Sequence, residues 1–195
     1  MASLKTLAIA TAFALLASGA APEGWVLLGS RPGNYDTGID SKAFFNDHSS
    51  AYLKSVTDTT DGFGTLMQQF SAAPYAGKRI RFSAYVQSQG VANWAGLWMR
   101  VDASVAAKNQ APRTLAFDNM AKRPIKGSTG WHRYEIVLDV PETAAGIAMG
   151  ILLGGNGTVW LNSSNIEIVS LAVPTTSINQ PSQPEGPRNL DFQNK

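Results

Sequence analysis

Short runs in which apolar and polar residues alternate dominate the chain from about residue 22 onward. The clearest run covers residues 78–87, and a second covers residues 97–102. Successive side chains of a β-strand point to opposite faces, so this alternation predicts strands with one face in a core. The residues expected to face the core are Ile80, Phe82, Ala84, Val86, Leu97, Met99 and Val101.

Further runs of this kind, separated by Gly, Pro, Asn and Asp, bring the expected total to nine or ten strands. No strand–helix alternation and no dinucleotide-binding glycine motif accompany them, which argues against a parallel α/β fold. The pattern predicts an all-β protein, an antiparallel jelly-roll β-sandwich of two sheets. Asn156-Gly157 is typical of a β-hairpin turn, and Gly150 inside a strand indicates room for a large ring nearby.

The two ends of the chain differ from this middle. Residues 1–20 combine a positive start, an apolar run and small residues, as a secretory signal peptide does. Residues 21–169 are expected to form the sandwich, and residues 170–188 a Pro-rich linker that is extended and solvated. Residues 189–195 contain a short strand-like segment. A secreted or periplasmic location follows from the signal, and the apolar run is too short for a stable membrane span.

Composition narrows the function classes. Cysteine is absent, which excludes disulfides and cysteine nucleophiles, and the two histidines make a histidine-rich zinc site improbable. A net charge of +2 without a basic stripe argues against nucleic-acid binding. No G-x-S-x-G nucleophile motif occurs, and no cofactor motif is present. A non-enzymatic role is the prediction.

Several segments resemble one family of modules. They include Pro-Glu-Gly-Trp at 22–25, Trp-Ala-Gly-Leu-Trp-Met-Arg-Val-Asp at 94–102 and Arg-Pro-Ile-Lys-Gly at 123–127. The matching segments run from about residue 22 to residue 169 and resemble a jelly-roll module of uncharacterised bacterial proteins. That module also occurs fused to transcription regulators and hydrolases, and it is similar in shape to carbohydrate-binding and galactose-binding-like modules.

One departure from the resembling family concerns an Asn-Leu-Asp-Phe-type strand. In similar modules it precedes the Pro-Glu-Gly-Trp segment, whereas here Asn-Leu-Asp-Phe-Gln stands at residues 189–193. The resemblance implies that this segment returns to pair beside residues 24–28. Pairing with a neighbouring molecule, and hence self-association, is the alternative.

The polar faces of the two clearest strands supply the candidate binding site. If those strands are neighbours, an aromatic ring lies among charged groups, the mixture that sugar recognition requires. The expected ligand-binding residues are Arg81, Ser83, Tyr85, Trp98, Arg100 and Asp102, with Asp118 and Asn119 added from the following strand. The alternative is that these residues form paired charges and buried rings that serve packing.

The leading function is an exported, non-catalytic module that binds carbohydrate or a cell-surface glycan through one sheet face. The alternative is a structural or assembly protein that contacts other subunits through an edge strand or a sheet face. A structural calcium ion stays open, because loop aspartates can ligate calcium or simply cap their own turns. The aspartates concerned are Asp36, Asp40, Asp58 and Asp61.

Overall fold

A computed structural model of the chain describes residues 19–58, 61–104 and 113–177. The strands are β1 (Val26–Gly29), β2 (Tyr35–Phe45), β3 (His48–Ser55), β4 (Phe63–Ser71), β5 (Lys78–Ala103), β6 (Thr114–Asp118), β7 (Ile125–Val140), β8 (Ala144–Gly154) and β9 (Thr158–Val169). Two short 3-10 turns, Pro32–Asn34 and Ala73–Tyr75, are the helical elements of these ranges. Nearly all of the predicted signal peptide and the whole predicted C-terminal strand lie outside the described residues, so both stay predictions.

The 26-residue strand β5 organises the sandwich. Residues 79–89 of β5 pair with β9, whereas residues 94–103 pair with β8. Because one continuous strand has different neighbours along its two halves, the antiparallel sheet folds over on itself into two layers. The first layer contains β2, β3, β9, the first half of β5 and β7. The second layer contains β1, β4, β8, the second half of β5 and β6.

The core lies between these layers and is built as the alternation predicts. Each of the seven residues expected to face the core is at most 1% exposed. They share one cluster with side chains of β7 and β8, among them Ile136, Leu138, Ile147, Ile151 and Leu153. The all-β, antiparallel jelly-roll prediction is confirmed, with nine strands in the described ranges. No helix in those ranges is long and apolar enough to cross a membrane.

The structure changes two connections. Residues 88–96, which lie between the two clearest runs, are part of β5, because β7 pairs with Ser88, Val91 and Ala95 with shifts in register. The predicted hairpin at Asn156-Gly157 does not join paired strands, since β8 pairs with β4 and β5, and β9 with β3 and β5. This turn carries the chain from the second layer to the first.

The first residues of the predicted linker lie against the sandwich. Arg79 donates hydrogen bonds of 2.6 Å each to the carbonyls of Leu171 and Val173. Thr176 donates its backbone N–H to the Val137 carbonyl of β7 at 2.8 Å. Leu171, Val173 and Thr176 therefore contact the sandwich, and the linker over residues 170–188 stays a prediction.

Candidate functional site

The outer face of the second layer carries an open groove of about 320 Å³. Apolar and aromatic side chains dominate its walls, with few polar groups among them. Its lining residues are Leu28, Gly29, Phe63, Thr65, Met67, Trp98, Arg100, Phe117, Asn119 and Leu152. This mixture of apolar walls and sparse polar groups is typical of small-molecule binding sites.

Small residues on β8 leave room for the ring that forms the floor of the groove. The core-facing positions of β8, residues 147, 149, 151 and 153, are large and apolar, whereas positions 146, 148, 150, 152 and 154 read Gly, Ala, Gly, Leu, Gly. A strand that alternates large with small residues buries one face and leaves the other face nearly bare. A Cβ on Gly150 would collide with the Leu66 carbonyl and approach Met67 Cα to 2.9 Å, so β8 and β4 approach closely there.

Trp98 lies across this floor. Its Nε1 donates a 2.7 Å hydrogen bond to Thr65 Oγ1, which in turn donates to the Ile151 carbonyl at 2.9 Å. Trp98 stands on β5 and Thr65 on β4, with β8 between them, and Trp98 is opposite Gly150. Strands are about 4.8 Å apart, so the indole must cross β8 to reach Thr65. The expectation that Gly150 leaves room for a ring agrees with this geometry.

Trp98 is only 8% exposed, so it forms the floor of the groove rather than a free stacking platform. The rings that stand higher are half-buried and pack around Trp98, Met67 and Leu152: Phe63, Trp94 and Phe117. Trp94 is part of β5. Of these three rings, Phe63 and Phe117 line the groove and offer the apolar surface that was expected of Trp98.

The polar groups of the groove come from β5 and from the end of β6. Arg100 donates a 2.8 Å hydrogen bond from Nε to one Asp102 oxygen, and the Thr114 hydroxyl donates a 3.2 Å hydrogen bond to the other. Asp102 is 4% exposed, so it orients Arg100 from behind. Asn119 lines the groove while its Oδ1 accepts the Ala121 N–H at 3.2 Å.

Asp118 does not open onto the groove. It pairs in register with Met99, on the core side of β6, and is 0% exposed. Arg123 binds its carboxylate at 2.6 Å, and the Met120 N–H donates to it at 2.8 Å. These contacts occupy both oxygens of the carboxylate. They favour a structural role for Asp118 over the ligand-binding role expected of it.

Arg81, Ser83 and Tyr85 lie on the opposite side of the molecule from the groove. They project from the first half of β5, on the outer face of the first layer, whereas Trp98 and Arg100 project from the second half. The expected single face would require the two halves to be neighbours. The structure separates them because β5 passes from one layer to the other.

The outer face of the first layer is internally paired, and we call it the charged face. Arg79 forms two hydrogen bonds to Asp139, at 2.7 and 3.0 Å. Arg81 lies 3.4 Å from Glu135 and 3.2 Å from Glu167. Further along, aromatic rings cover the surface: Phe45 stacks on Tyr85 with centroids 4.2 Å apart and leans on Trp131 at 5.3 Å. Ser83 is buried, at 4% exposure.

A second hollow, of about 380 Å³, lies beside the charged face between β2, β3 and β9. Burial, and then a 2.9 Å hydrogen bond to Asp36, raise the pKa of Tyr52 to about 12. The Lys42 backbone N–H and the Trp160 indole N–H lower the pKa of Asp40. Both aspartates are thus engaged within the protein. The described part of the chain holds no group of three or more acidic or histidine side chains placed for a metal, and the calcium ion stays a prediction.

The sequence reasoning missed the residues that shape the groove, namely Phe63, Thr65, Met67, Phe117 and Leu152. The sequence signal that could have located the groove is the alternation of small and large residues along β8. Alternation of apolar with polar residues marks a face in water, whereas alternation of large with small residues marks a face that leaves space.

The solved structures that resemble this chain define its class as a jelly roll of the kind found in carbohydrate-binding modules. A xylan-binding domain, CBM22-1, from Paenibacillus barcinonensis superposes with a TM-score of 0.50 at 11% identity, over 78% of this chain and 90% of that one. A Clostridium thermocellum endo-1,4-β-D-xylanase comprising CBM22-1 and GH10 modules, complexed with xylohexaose, gives 0.53 at 12% identity, over 77% of this chain and 27% of that one. Identities this low establish the fold alone.

Among curated proteins, the chain is 44% identical over 173 residues to YbfP of Bacillus subtilis strain 168, an uncharacterized HTH-type transcriptional regulator. The alignment covers 88% of this chain and 57% of YbfP, so the chain spans somewhat more than half of that relative. No family model matches the chain. The expected resemblance to a jelly-roll module, similar to carbohydrate-binding modules and also found in transcription regulators, is confirmed.

Proposed function

We propose that this protein is a non-catalytic carbohydrate-binding module and that its ligand lies in the groove of the second layer. The observation that carries the proposal is the pair of half-buried rings, Phe63 and Phe117, that line the groove together with Arg100, Asn119 and the buried Trp98. The C–H face of a pyranose is apolar while its edge is polar. A groove with rings on its walls and planar polar groups beside them suits that combination.

The lining of the groove also supports the absence of catalysis. Glycoside hydrolysis uses a pair of carboxyl groups about 5–10 Å apart. The described residues that line the groove include no aspartate or glutamate. Asp102, which lies behind Arg100, is bonded on both oxygens. The names of the fold neighbours, which include a xylan-binding domain, favour a plant-type polysaccharide as the first ligand to test.

Affinity electrophoresis in gels containing soluble polysaccharides tests the proposal. The panel comprises xylan, glucuronoxylan, galactan, mannan and a β-glucan, with isothermal titration for any that retard the protein. We expect Phe117→Ala to weaken binding about tenfold or more, because rings in a binding pocket contribute most of the affinity. Arg133→Ala on the charged face is the matched control and should retain the wild-type affinity.

Two results would overturn the proposal. If no polysaccharide in the panel retards the protein, carbohydrate binding is wrong. If Arg133→Ala abolishes binding while Phe117→Ala leaves it intact, the ligand lies on the other face.

Export remains part of the proposal and rests on the pattern of residues 1–20. Mass spectrometry of the protein recovered from the medium or periplasm would detect signal cleavage near residue 20.

A further inference from the structure

We propose that the groove selects sugars bearing an acceptor-only oxygen, either the carboxylate of a uronic acid or the carbonyl of an acetyl ester. This inference rests on the proposed function and adds a ligand class to it. It follows from which hydrogen-bonding groups the groove has left to offer after its internal bonds are made.

The groove offers donors. Arg100 uses its Nε for Asp102, and its two terminal nitrogens have no hydrogen-bond partner among the described residues, while its side chain is 39% exposed. Asn119 uses one lone pair of its Oδ1 to accept the Ala121 N–H, which leaves the two donors of its NH2 group and one lone pair of the oxygen. Both groups are planar donors, and Arg100 is the one charged side chain among the described residues that line the groove.

The other side-chain acceptors near the groove are already hydrogen-bonded within the protein. Thr65 Oγ1 receives the Trp98 indole proton and donates to Ile151, and Thr65 is 4% exposed. Asp102 binds Arg100 through one oxygen and Thr114 through the other. Backbone groups of a sheet lie in its plane, where they bond neighbouring strands, so side chains set the chemistry of the face. The other lining residues are apolar or glycine.

A sugar hydroxyl is both a donor and an acceptor, and its proton needs an acceptor when water is displaced. Among the described lining residues, the second lone pair of Asn119 Oδ1 is the one exposed side-chain acceptor left for such a proton, and an unsatisfied donor weakens binding. A carboxylate or an ester carbonyl has no proton to place and accepts from Arg100 and Asn119 together. The planar guanidinium fork matches a carboxylate in particular.

Matched pairs of glycans test this selectivity. One pair is acetylated xylan and the same xylan after mild alkaline deacetylation. The other is a β-1,4-glucuronic acid oligomer and a cello-oligosaccharide of equal length. We expect the acyl or carboxylate member of at least one pair to bind at least tenfold more tightly than its neutral partner. Preference within the first pair identifies the ester, and preference within the second identifies the carboxylate.

Asn119→Asp is the sharpest variant, because it keeps an oxygen for the Ala121 N–H but replaces the remaining donors with an acceptor. We expect it to weaken binding of the preferred glycan at least tenfold. Arg100→Lys keeps the charge without the planar fork, is expected to weaken binding as well, and serves if Asn119→Asp fails to fold. Arg133→Ala is again the control.

The outcomes separate this inference from the proposed function. If neutral members bind as tightly as their partners, the selectivity is wrong while carbohydrate binding stands. Unchanged affinity in Asn119→Asp, or in Arg100→Lys where that variant replaces it, would also overturn the selectivity. If neither these pairs nor the wider panel bind, the proposed function and the inference both fail.

Discussion

The two outer faces of the sandwich arise from the same strand yet have opposite chemistry. On the charged face, Arg79 and Arg81 from the first half of β5 find carboxylates on β7 and β9. On the groove face, the second half of β5 places Trp98 and Arg100 beside a β8 surface of small residues. A face whose polar groups pair with one another stabilises the fold, whereas a face that leaves donors and rings exposed has capacity for a ligand.

The largest expected effect separates the two faces by their tryptophans. Trp98→Ala removes a ring that is 8% exposed together with its hydrogen bond to Thr65, and should destabilise the protein by about 4 kcal/mol. Trp131→Ala on the charged face removes a half-exposed ring that leans on Phe45 and should cost about 1 kcal/mol. Urea denaturation measures both. Equal losses would show that Trp98 is not part of the packed floor.

A smaller effect tests the bare surface of β8. Gly150→Ala places a Cβ against the Leu66 carbonyl, so we expect a loss of about 2 kcal/mol in unfolding free energy. Gly130→Ala on β7 is the matched control, because nothing lies within 4 Å of a Cβ there. The control should change stability by less than about 0.5 kcal/mol. If the two variants melt alike, the close approach of β8 and β4 does not constrain residue 150.

The core could be predicted from the sequence because strand periodicity is local. Residues 80, 82, 84 and 86 alternate within one segment, and each is buried. The same alternation correctly predicted that Arg81 and Trp98 lie on outer faces of the sandwich. What the pattern does not contain is which strand lies beside which, so it could not show that β5 belongs to both layers.

The site was therefore only partly predictable. Trp98, Arg100 and Asn119 line the groove as the outward positions suggested, with Asp102 behind Arg100. Asp118 illustrates the limit, since its inward orientation depends on the pairing of β6 with Met99 of β5. The turn at Asn156-Gly157 shows the same limit, because a local turn signal cannot tell whether the flanking strands pair with each other.

The smallest expected effect concerns alkaline pH and belongs to the first layer. Burial, and then the hydrogen bond to Asp36, raise the pKa of Tyr52 from its ordinary value of 10.0 to about 12. The unfolded chain loses this proton near pH 10, and the folded protein keeps it until about pH 12. The stabilisation is therefore complete below pH 10 and is lost as the pH rises from 10 to about 12. Solvent screens a half-buried ring, so we expect a loss of about 1 kcal/mol.

Tyr52→Phe removes the titrating group, so its unfolding free energy should change less than that of the wild type between pH 10 and about 12, as measured by urea denaturation across that range. Tyr134→Phe is the comparison, because burial alone raises the pKa of Tyr134, without a carboxylate partner. Tyr134→Phe should reduce the pH dependence of the unfolding free energy less than Tyr52→Phe does. Because Tyr52 lies in the first layer, glycan binding at pH 7 should be unchanged in Tyr52→Phe. If Tyr52→Phe kept the wild-type pH dependence, Tyr52 would not be the group whose titration causes it. If Tyr52→Phe lost glycan binding, the ligand would lie on the first layer instead.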